Sequence, residues 1–232
     1  MIGLMSNIDF IKSINKDAKE ILANILSKDI KKFGLKSKEK QIISKSFTNS
    51  SADNISDRLS YDDLDIDQCV KIVMINGVFK PDLSDSIPNY YNVCSLKESN
   101  QKEISRIASS NEHPIIAKNT ASFQDGIYIE SLSFCEKPIY LINYFVNPDG
   151  KKVVFPRIFI QCNADSEIKI IEYNISENDS NIFSNYVTEI NCDDNSNLEY
   201  YLIQKPGNNF YISGNMSLNI HKSANAKVTS CT

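Results

Sequence analysis

Two cysteines recur at a fixed spacing, which makes them the first candidates for chemistry in this chain. Cys162 and Cys192 are separated by thirty residues. If equivalent residues of successive strands stack, these two side chains lie roughly 5 Å apart, close enough to share a metal or a sulfur species. A soft metal would need three or four ligands, and no further ligands accompany the pair. We favour the alternative interpretation, two small side chains buried in a stacked ladder.

The remaining cysteines and the two histidines do not form a recognisable site. The six cysteines contain no Cys-x-x-Cys pair, and in a cytosolic protein we expect them to be reduced thiols. His113 and His221 have no carboxylate or cysteine at metal-ligand spacing, so we expect structural or exposed histidines. His221 should flank a corner at the end of a strand. The sequence therefore predicts no metal ligand.

Five carboxylates of the C-terminal half raise the hypothesis of a carbohydrate-active enzyme: Glu172, Glu189, Asp193, Asp194 and Glu199. Glycoside hydrolysis requires two carboxyl groups held about 5 to 9.5 Å apart in a cleft. Adjacent aspartates such as Asp193 and Asp194 are also typical of turns. The chain has no phosphate-binding glycine loop and no GxSxG or HExxH motif. We therefore predict no catalytic residue and assign no cofactor-binding residue.

The elements that carry these residues are predicted by an internal repeat of thirty residues. Three sets of side chains fall into register at this period: Ile160, Ile190 and Ile220; Asp165, Asn195 and Asn225; Ile168, Leu198 and Val228. Each unit alternates apolar and polar residues on both sides of a short polar turn, so one face of each strand needs a neighbour to bury it. The sequence predicts a mainly β protein with a right-handed parallel β-helix, in which the three isoleucines form one interior ladder. A weaker fourth copy includes residues 135–140.

The N-terminal part is predicted to be an α/β region with helices. An apolar stripe at helical spacing, preceded by Ser6 as an N-cap, predicts a first helix: Ile11, Ile14, Ala18, Ile21, Leu22 and Ile25. Gly34 suits a helix C-terminus, and a weaker helix is expected at residues 37–47. Residues 48–67 are polar and acidic, which is typical of a linker.

Short strands are expected between this linker and the β-helix. Asn76 and Gly77 separate two apolar runs, which predicts a hairpin over residues 71–79. A strand is expected at residues 89–96 and a short helix at 98–109. We divide the chain into an N-terminal region, residues 1–118, and a β-helix domain, residues 119–232.

The end of the chain falls inside a repeat. Thr232 aligns with Leu202 one period earlier, within a predicted strand. We expect the β-helix to be incomplete at its C-terminal end, because solenoids need caps to cover backbone groups and apolar side chains.

Charge and hydropathy limit the expected partners and location. Residues 1–47 carry ten Lys and five Asp or Glu, whereas the rest carries fifteen Lys or Arg and twenty-four Asp or Glu, within a total charge of −4. The lysines are scattered around a helix without aromatic or arginine-rich interleaving, so no nucleic-acid binding is expected. No signal peptide or membrane-length apolar run is evident. We expect a cytoplasmic protein that does not associate with membranes.

Several segments of the repeat resemble the SufB/SufD family of the SUF iron–sulfur cluster assembly system. FPRIFI at residues 155–160 and ADSEIKIIE at 164–172 are similar to the entry of its β-helix. NYVTEI at residues 185–190, followed by NLEYYLIQ at 197–204, is the most specific match. INGVF at residues 75–79 with Leu83 and Ser84, and NTASFQDG at 119–126, are similar to the SufD branch.

The resemblance covers roughly residues 70–232 and implies a scaffold without catalytic activity. It implies pairing with SufB-like and SufC-like proteins, the latter an ATPase. It also implies that the iron–sulfur cluster is assembled by the whole complex, with no cofactor bound by this chain alone. The chain lacks the tryptophan and the later coils of the family, so no functional residue of the family is carried over. The chain looks like the N-terminal part of a SufD-like protein. A SufB-like paralogue and a β-helix carbohydrate-active enzyme are the alternatives.

Overall fold

The structure is a computed structural model that describes residues 6–27, 33–36, 39–41, 68–100, 103–147, 152–176, 181–205 and 207–231. Within these ranges lie two α-helices described over their whole length, a 3-10 helix (Pro81–Leu83) and twelve strands. The helices are α1 (Asn7–Leu26) and α2 (Pro114–Ser122). The strands before the repeat are β1 (Val70–Ile75), β2 (Val78–Phe79) and β3 (Tyr91–Ser95). The remaining strands are β4 (Ile127–Ser131), β5 (Ile139–Phe145), β6 (Lys152–Val154), β7 (Arg157–Cys162), β8 (Glu167–Ser176), β9 (Ile182–Cys192), β10 (Asn197–Lys205), β11 (Phe210–Ile220) and β12 (Asn225–Cys231).

The strands form a β-solenoid of about three turns, which confirms the predicted fold class. One sheet has the order β12-β10-β8-β5-β1-β2, and the other has the order β11-β9-β7-β4-β3, with β6 beside β9. From β4 onward the chain alternates between the two sheets, except that β6 and β7 both pair with β9, and the pairs between successive coils are parallel. The weaker fourth copy is also confirmed, because β5 pairs with β8.

Inward-facing apolar side chains of the two sheets form the main core. Along β8, residues alternate between buried and half-buried, as expected when one face of a strand packs inside. Ile129, Ile160, Ile190 and Leu218 follow one another in register through four strands of one sheet. The opposite sheet contributes Ile168 and Leu198 in the same way. Each coil therefore buries the apolar face of the coil before it.

The prediction that Ile220 continues the ladder of Ile160 and Ile190 is wrong. Leu218 pairs with Ile190, whereas Ile220 pairs with Cys192 and is 50% exposed. The last coil is therefore 28 residues from its predecessor, and not 30. The connection before β11 explains the difference. Lys205 pairs with Ile175, and Phe210 pairs with Ile182. The run from Lys205 to Phe210 is nevertheless two residues shorter than the run from Ile175 to Ile182, so the last coil has two residues fewer.

The same shift changes the expected alignment of the turns. Asp165, Asn195 and Ser223 all have φ near +60°, so Ser223 and not Asn225 occupies the equivalent position. The three turns span residues 163–166, 193–196 and 221–224. In each turn the backbone N–H of the fourth residue donates to the carbonyl of the first, at 3.1 to 3.2 Å. A positive φ at the third position is the geometry of a type II turn. Asn225 instead pairs with Asn197, and Val228 pairs with Tyr200 and not with Leu198.

The first helix agrees with its apolar stripe. Ser6 is the N-cap, and its side chain accepts from the Asp9 backbone N–H at 3.2 Å. Ile11, Ala18 and Leu22 are buried along one face. The helix ends at Leu26, however, so Gly34 does not terminate it, although Gly34 has the positive φ expected of a helix end.

Two other N-terminal predictions lie mostly outside the described residues. Of the helix expected at residues 37–47, residues 39–41 are helical, and the rest is not described. The linker expected at residues 48–67 lies entirely outside the described part.

The prediction of a helix at residues 98–109 is wrong. The helix of this part of the chain is α2, which begins later, at Pro114. The described residues of that span form turns and bends, with Ser105 at φ +69°. The sequence contains a start signal for α2, since Pro114 occupies its first turn and His113 precedes it. α2 shows no amphipathic stripe that could have marked it, because eight of its nine residues are buried.

The predicted hairpin and the strand after it extend the two sheets at the N-terminal end of the solenoid. β1 and β2 are antiparallel around Asn76 and Gly77, both at positive φ, which confirms the hairpin. β1 also pairs in parallel with β5, and β3 pairs antiparallel with β4. Residues before 119 thus contribute strands to both sheets, and the division of the chain at that position stays a prediction.

Neither helix assigned in the described ranges has the length and apolarity needed to span a membrane.

Ile190 and Ile220 provide a matched test of the observed register. Ile190→Ala should lower the free energy of unfolding by about 2–5 kcal/mol, because it leaves a cavity in the buried ladder. Ile220→Ala should change it by less than about 0.5 kcal/mol, because half of that side chain is exposed. Urea denaturation followed by circular dichroism measures both. Equal losses for the two variants would contradict the 28-residue offset of the last coil.

Candidate functional site

The structure brings together the two cysteines that the repeat singled out. Cys162 on β7 and Cys192 on β9 are direct partners in the parallel ladder, and both are fully buried. Ser131 precedes Cys162 in the same ladder, and Ile220 follows Cys192. The pair belongs to the main apolar core. The predicted stacking of the two thiols is therefore confirmed.

The two thiols lose their protons as a pair, because each is hydrogen-bonded to the other. The hydrogen bond between Cys162 and Cys192, together with burial, raises the pKa of the Cys162 thiol. The same hydrogen bond lowers the pKa of the Cys192 thiol. A first deprotonation of the pair is stabilised by the thiol that keeps its proton, whereas a second would place two negative charges side by side in the core. At neutral pH the pair thus keeps at least one proton.

Within the described part of the chain, no group of three or more His, Cys, Asp or Glu residues is arranged to hold a metal ion. Cys135 is also buried, but it belongs to the connection before β5 and its thiol donates to the Lys137 carbonyl at 3.3 Å. Cys231 is exposed near the end of β12. All six cysteines are free thiols in the structure.

Glu172 lies inside the solenoid, in register between Leu141 and Leu202. The side-chain amides of Asn143 and Asn174 donate to its Oε1 at 2.7 and 3.0 Å. The Tyr200 hydroxyl donates to its Oε2. Burial raises the pKa of Glu172 against the opposing effect of these three hydrogen bonds. Glu172 thus organises a polar cluster within the apolar core.

Glu189 is the centre of a second buried cluster, on the outer face of the other sheet. It forms an ion pair with Arg157, whose side chain is also completely buried. The two residues lie on β7 and β9, diagonally across the ladder, because Arg157 pairs with Val187 and Glu189 pairs with Phe159. Sequence reasoning considered Glu189 as a catalytic carboxylate and missed Arg157. A buried carboxylate without a cation is costly, but the sequence shows neither that Glu189 is buried nor which cation lies beside it.

The ion pair attaches the N-terminal region to the solenoid. Glu189 accepts from the backbone N–H groups of Ser105, Ile107 and Ala108 at 2.9 to 3.1 Å. The Arg157 guanidinium donates to Asn119 Oδ1 and Thr120 Oγ1 on α2, both at 3.0 Å. The turns before α2 and α2 itself are therefore fixed by one pair of side chains.

Phe123 and Asn119 complete this attachment. The Phe123 ring lies against the guanidinium of Arg157, at 5.4 Å from its centroid. The Asn119 amide donates to the carbonyls of Pro156 and Asn185, at 2.9 and 2.7 Å. Both residues belong to the NTASFQDG segment, which thus has a structural task in this chain.

The other candidate carboxylates lie at the surface. Asp193 and Asp194 are in the turn before β10, as expected, and Asp193 accepts from Gln161 and Asn191 at 2.8 Å. Glu199 forms a part-exposed ion pair with Lys169 at 3.3 Å. Glu172, Glu189 and Glu199 thus belong to three separate hydrogen-bond networks, and none of these networks pairs two carboxylates in a cleft.

Both histidines lie at the ends of secondary-structure elements. The His113 Nδ1 accepts from the Ile115 backbone N–H at 3.2 Å and thereby caps α2. His221 directly follows β11 and flanks the last described turn, as predicted. Its Nε2 lies 2.9 Å from Asn219 Nδ2 and 4.0 Å from Asp193 Oδ1.

Comparison with known proteins gives a match for the C-terminal part of the chain. Residues 144–232 match the family model described as SUF system FeS cluster assembly, SufBD core domain. The matched segment begins in β5 and includes the stacked thiols, Glu172 and the Arg157–Glu189 pair. No curated protein matches the chain. The match supports the resemblance to the SufB/SufD family over the coils and does not distinguish SufB from SufD.

Removing the buried ion pair should have a much larger effect than removing a surface one. Glu189→Ala should lower the free energy of unfolding by about 3–5 kcal/mol, because it leaves the buried Arg157 without its counter-charge and removes the acceptor of three backbone N–H groups. Glu199→Ala, which removes the exposed partner of Lys169, is the matched control and should have little effect. Urea denaturation of both variants is the measurement. A loss at Glu189 no larger than that at Glu199 would refute the anchoring role.

Glu172 should make the protein less stable as the pH rises. Its folded-state pKa is raised, so the stability that it contributes is complete below the unfolded-state pKa of about 4.3 and is lost as the pH rises through the folded-state pKa. Glu172→Gln should remove this contribution. The stability of the variant relative to the parent should increase by up to about 1.4 kcal/mol per pH unit within that window.

Urea midpoints of the Glu172→Gln variant and the parent at a series of pH values test this. Glu167→Gln, at a half-buried position at the start of the same strand, is the control. A stability difference between Glu172→Gln and the parent that does not change with pH would contradict the prediction.

Proposed function

We propose that this chain is a cytoplasmic, SufD-like scaffold subunit of a SUF iron–sulfur cluster assembly complex, without catalytic activity of its own. The observation that carries the proposal is the match of residues 144–232 to the SufBD core domain. The segment that matches is also the segment that forms the coils β7 to β12. In this proposal the chain pairs with a SufB-like protein and a SufC-like ATPase.

The chemistry of the described residues supports a scaffold role. The carboxylates with the most buried side chains, Glu172 and Glu189, have their oxygens engaged in internal hydrogen bonds. The stacked thiols are inaccessible to solvent, and the exposed surface of the coils is formed by strands and short turns. A stack of strands joined by continuous ladders is a stiff platform for binding other proteins.

The SufD-like assignment rests on the upstream part of the chain. The Asn76–Gly77 hairpin and the NTASFQDG segment are the features similar to the SufD branch. In the structure the hairpin extends one sheet of the solenoid, and NTASFQDG supplies Asn119, Thr120 and Phe123 to the Arg157 anchor. The hairpin and the NTASFQDG segment are therefore structurally connected to the solenoid that matches the family model.

Co-purification with SUF proteins of the same genome tests the proposal. Tagged chain, expressed anaerobically with a SufB-like and a SufC-like protein, should retain both through size-exclusion chromatography. Iron and sulfide should be present in the complex and absent from the chain purified alone, and ATP hydrolysis should require the SufC-like protein.

The outcomes separate the parts of the proposal. Pairing with a SufD-like protein in place of a SufB-like one would mean a SufB-like chain. Stoichiometric iron on the isolated chain that is lost in Cys162→Ala or Cys192→Ala would assign a metal to the stacked thiols and contradict the cofactor proposal. Failure to bind either protein, or ATPase or polysaccharide cleavage by the chain alone, would refute the scaffold role.

A further inference from the structure

The stacked thiols of Cys162 and Cys192 have the backbone geometry that a disulfide requires. The two residues are direct partners in the parallel ladder between β7 and β9, and their thiols are hydrogen-bonded to each other. Partners in neighbouring strands have Cα atoms about 4.8 Å apart, within the range of about 4.4 to 6.8 Å that disulfides span. A bond between the two sulfur atoms therefore requires rotation of the side chains and no displacement of the strands.

The other four cysteines do not share this arrangement. Cys94 and Cys231 pair with residues other than cysteine in their neighbouring strands. Cys69 and Cys135 lie in connections outside the described strands. Within the described strands, the repeat thus brings one pair of thiols into position for an intramolecular disulfide.

The pair is closest to solvent on the side of β11. Along the ladder, Ser131, Cys162 and Cys192 are fully buried, whereas Ile220, the partner of Cys192 on β11, is 50% exposed. Every residue of β11 after Phe210 is half-buried or exposed. A strand with so little burial opens locally at a lower free energy than the strands of the core. Local opening of β11 therefore exposes Cys192 before Cys162.

The hydrogen bond between the two thiols favours the reactive form of the pair. It lowers the pKa of the Cys192 thiol against the opposing effect of burial. The thiolate is the form that reacts with oxidants, and an isolated thiol in an apolar core is inert. Cys192 thus combines thiolate character with the shorter route to solvent, and Cys162 lies beside it as a second thiol.

We propose that Cys162 and Cys192 form a reversible, peroxide-sensitive disulfide that joins β7 to β9. When β11 opens, the Cys192 sulfur attacks one oxygen of hydrogen peroxide, the O–O bond breaks, and water leaves with the thiol proton. The Cys162 sulfur then attacks the sulfur of the resulting sulfenic acid, the S–O bond breaks, and a second water leaves with the second thiol proton. The two sulfur atoms together lose two electrons, which the peroxide gains. Disulfides of cytosolic proteins are usually of this transient, redox-sensing kind.

Mass spectrometry of the whole chain, before and after treatment with hydrogen peroxide, is the test. Treated protein that is alkylated in denaturant without reductant should contain one linked pair of tryptic peptides, with Cys162 in one and Cys192 in the other. Dithiothreitol should reverse the link. The oxidised chain should melt at a temperature roughly 10 °C higher, because the bond joins residues thirty apart in the unfolded chain.

Cysteine variants separate this pair from the other thiols. Cys162→Ser and Cys192→Ser should each abolish the linked peptides and the rise in melting temperature. Cys94→Ser removes a half-buried thiol that has no cysteine partner and is the matched control, which should keep both effects. All of these variants also carry Cys231→Ser, because that exposed thiol reacts with peroxide on its own. The linked peptides of the parent chain are informative even where a variant does not fold.

Ile220→Ala tests the route through β11. It removes the half-exposed side chain that covers Cys192, so the disulfide should form about twofold faster or more. Ile203→Ala, at an exposed apolar position on the opposite sheet, is the control and should leave the rate unchanged. Quenching the reaction by alkylation at a series of times gives the rates.

Unlinked Cys162 and Cys192 after peroxide treatment of the folded chain would overturn the proposal, as would a link that forms only in denaturing urea. Equal rates in the parent, Ile220→Ala and Ile203→Ala would overturn the route through β11. None of these results bears on co-purification with SUF proteins, so the disulfide and the scaffold function can fail separately.

Discussion

The structure depends on parallel hydrogen-bond ladders that stack each coil on the one before it. A strand that alternates apolar and polar residues cannot bury its apolar face alone, and two strands of one coil cannot enclose a core. Stacking solves both problems at once, because the ladder that satisfies the backbone groups also places Ile129, Ile160, Ile190 and Leu218 above one another. The stability of any coil therefore includes a contribution from its neighbours, as in other repeat architectures.

Polar groups inside and beside this stack are tolerated because they have partners. Glu172 accepts three hydrogen bonds within the core, and Glu189 is neutralised by Arg157 and by three backbone N–H groups. Such clusters contribute little net free energy compared with apolar packing, but losing one partner is costly. They thus favour a single arrangement. The pair of Glu189 and Arg157 in this way fixes α2 and the turns before it against the sheet.

The buried clusters also explain why paired cysteines and buried carboxylates in this chain can have a structural role and need not form a catalytic or metal site. Cys162 and Cys192 lie side by side, as a shared ligand pair would, yet they are enclosed by the apolar core. Glu189 has a cation next to it, as an active-site carboxylate often does, but its oxygens are fully used by structural contacts. The described surface of the coils consists mainly of strands and short turns.

The sequence alone determined the features that depend on local order along the chain. Alternating apolar residues and the spacing near thirty identified the solenoid, Asn76–Gly77 identified the hairpin, and Ser6 identified the start of α1. The stacking of Cys162 on Cys192 also followed, since the coil between them keeps the thirty-residue period. These features need only the side-chain periodicity and the turn preferences of neighbouring residues.

Only the tertiary structure decided which residues meet across the coils where that period changes. Ile220 lies beside Cys192 because a shorter connection before β11 removes two residues from the coil, and a repeat in the sequence does not reveal which partner the backbone selects. Arg157 and Glu189 are 32 residues apart and off the repeat, so their pairing required the diagonal geometry of adjacent strands. The contact of α1 with the end of α2 likewise joins two segments about a hundred residues apart, through the hydrogen bond from the Asn15 amide to the Phe123 carbonyl.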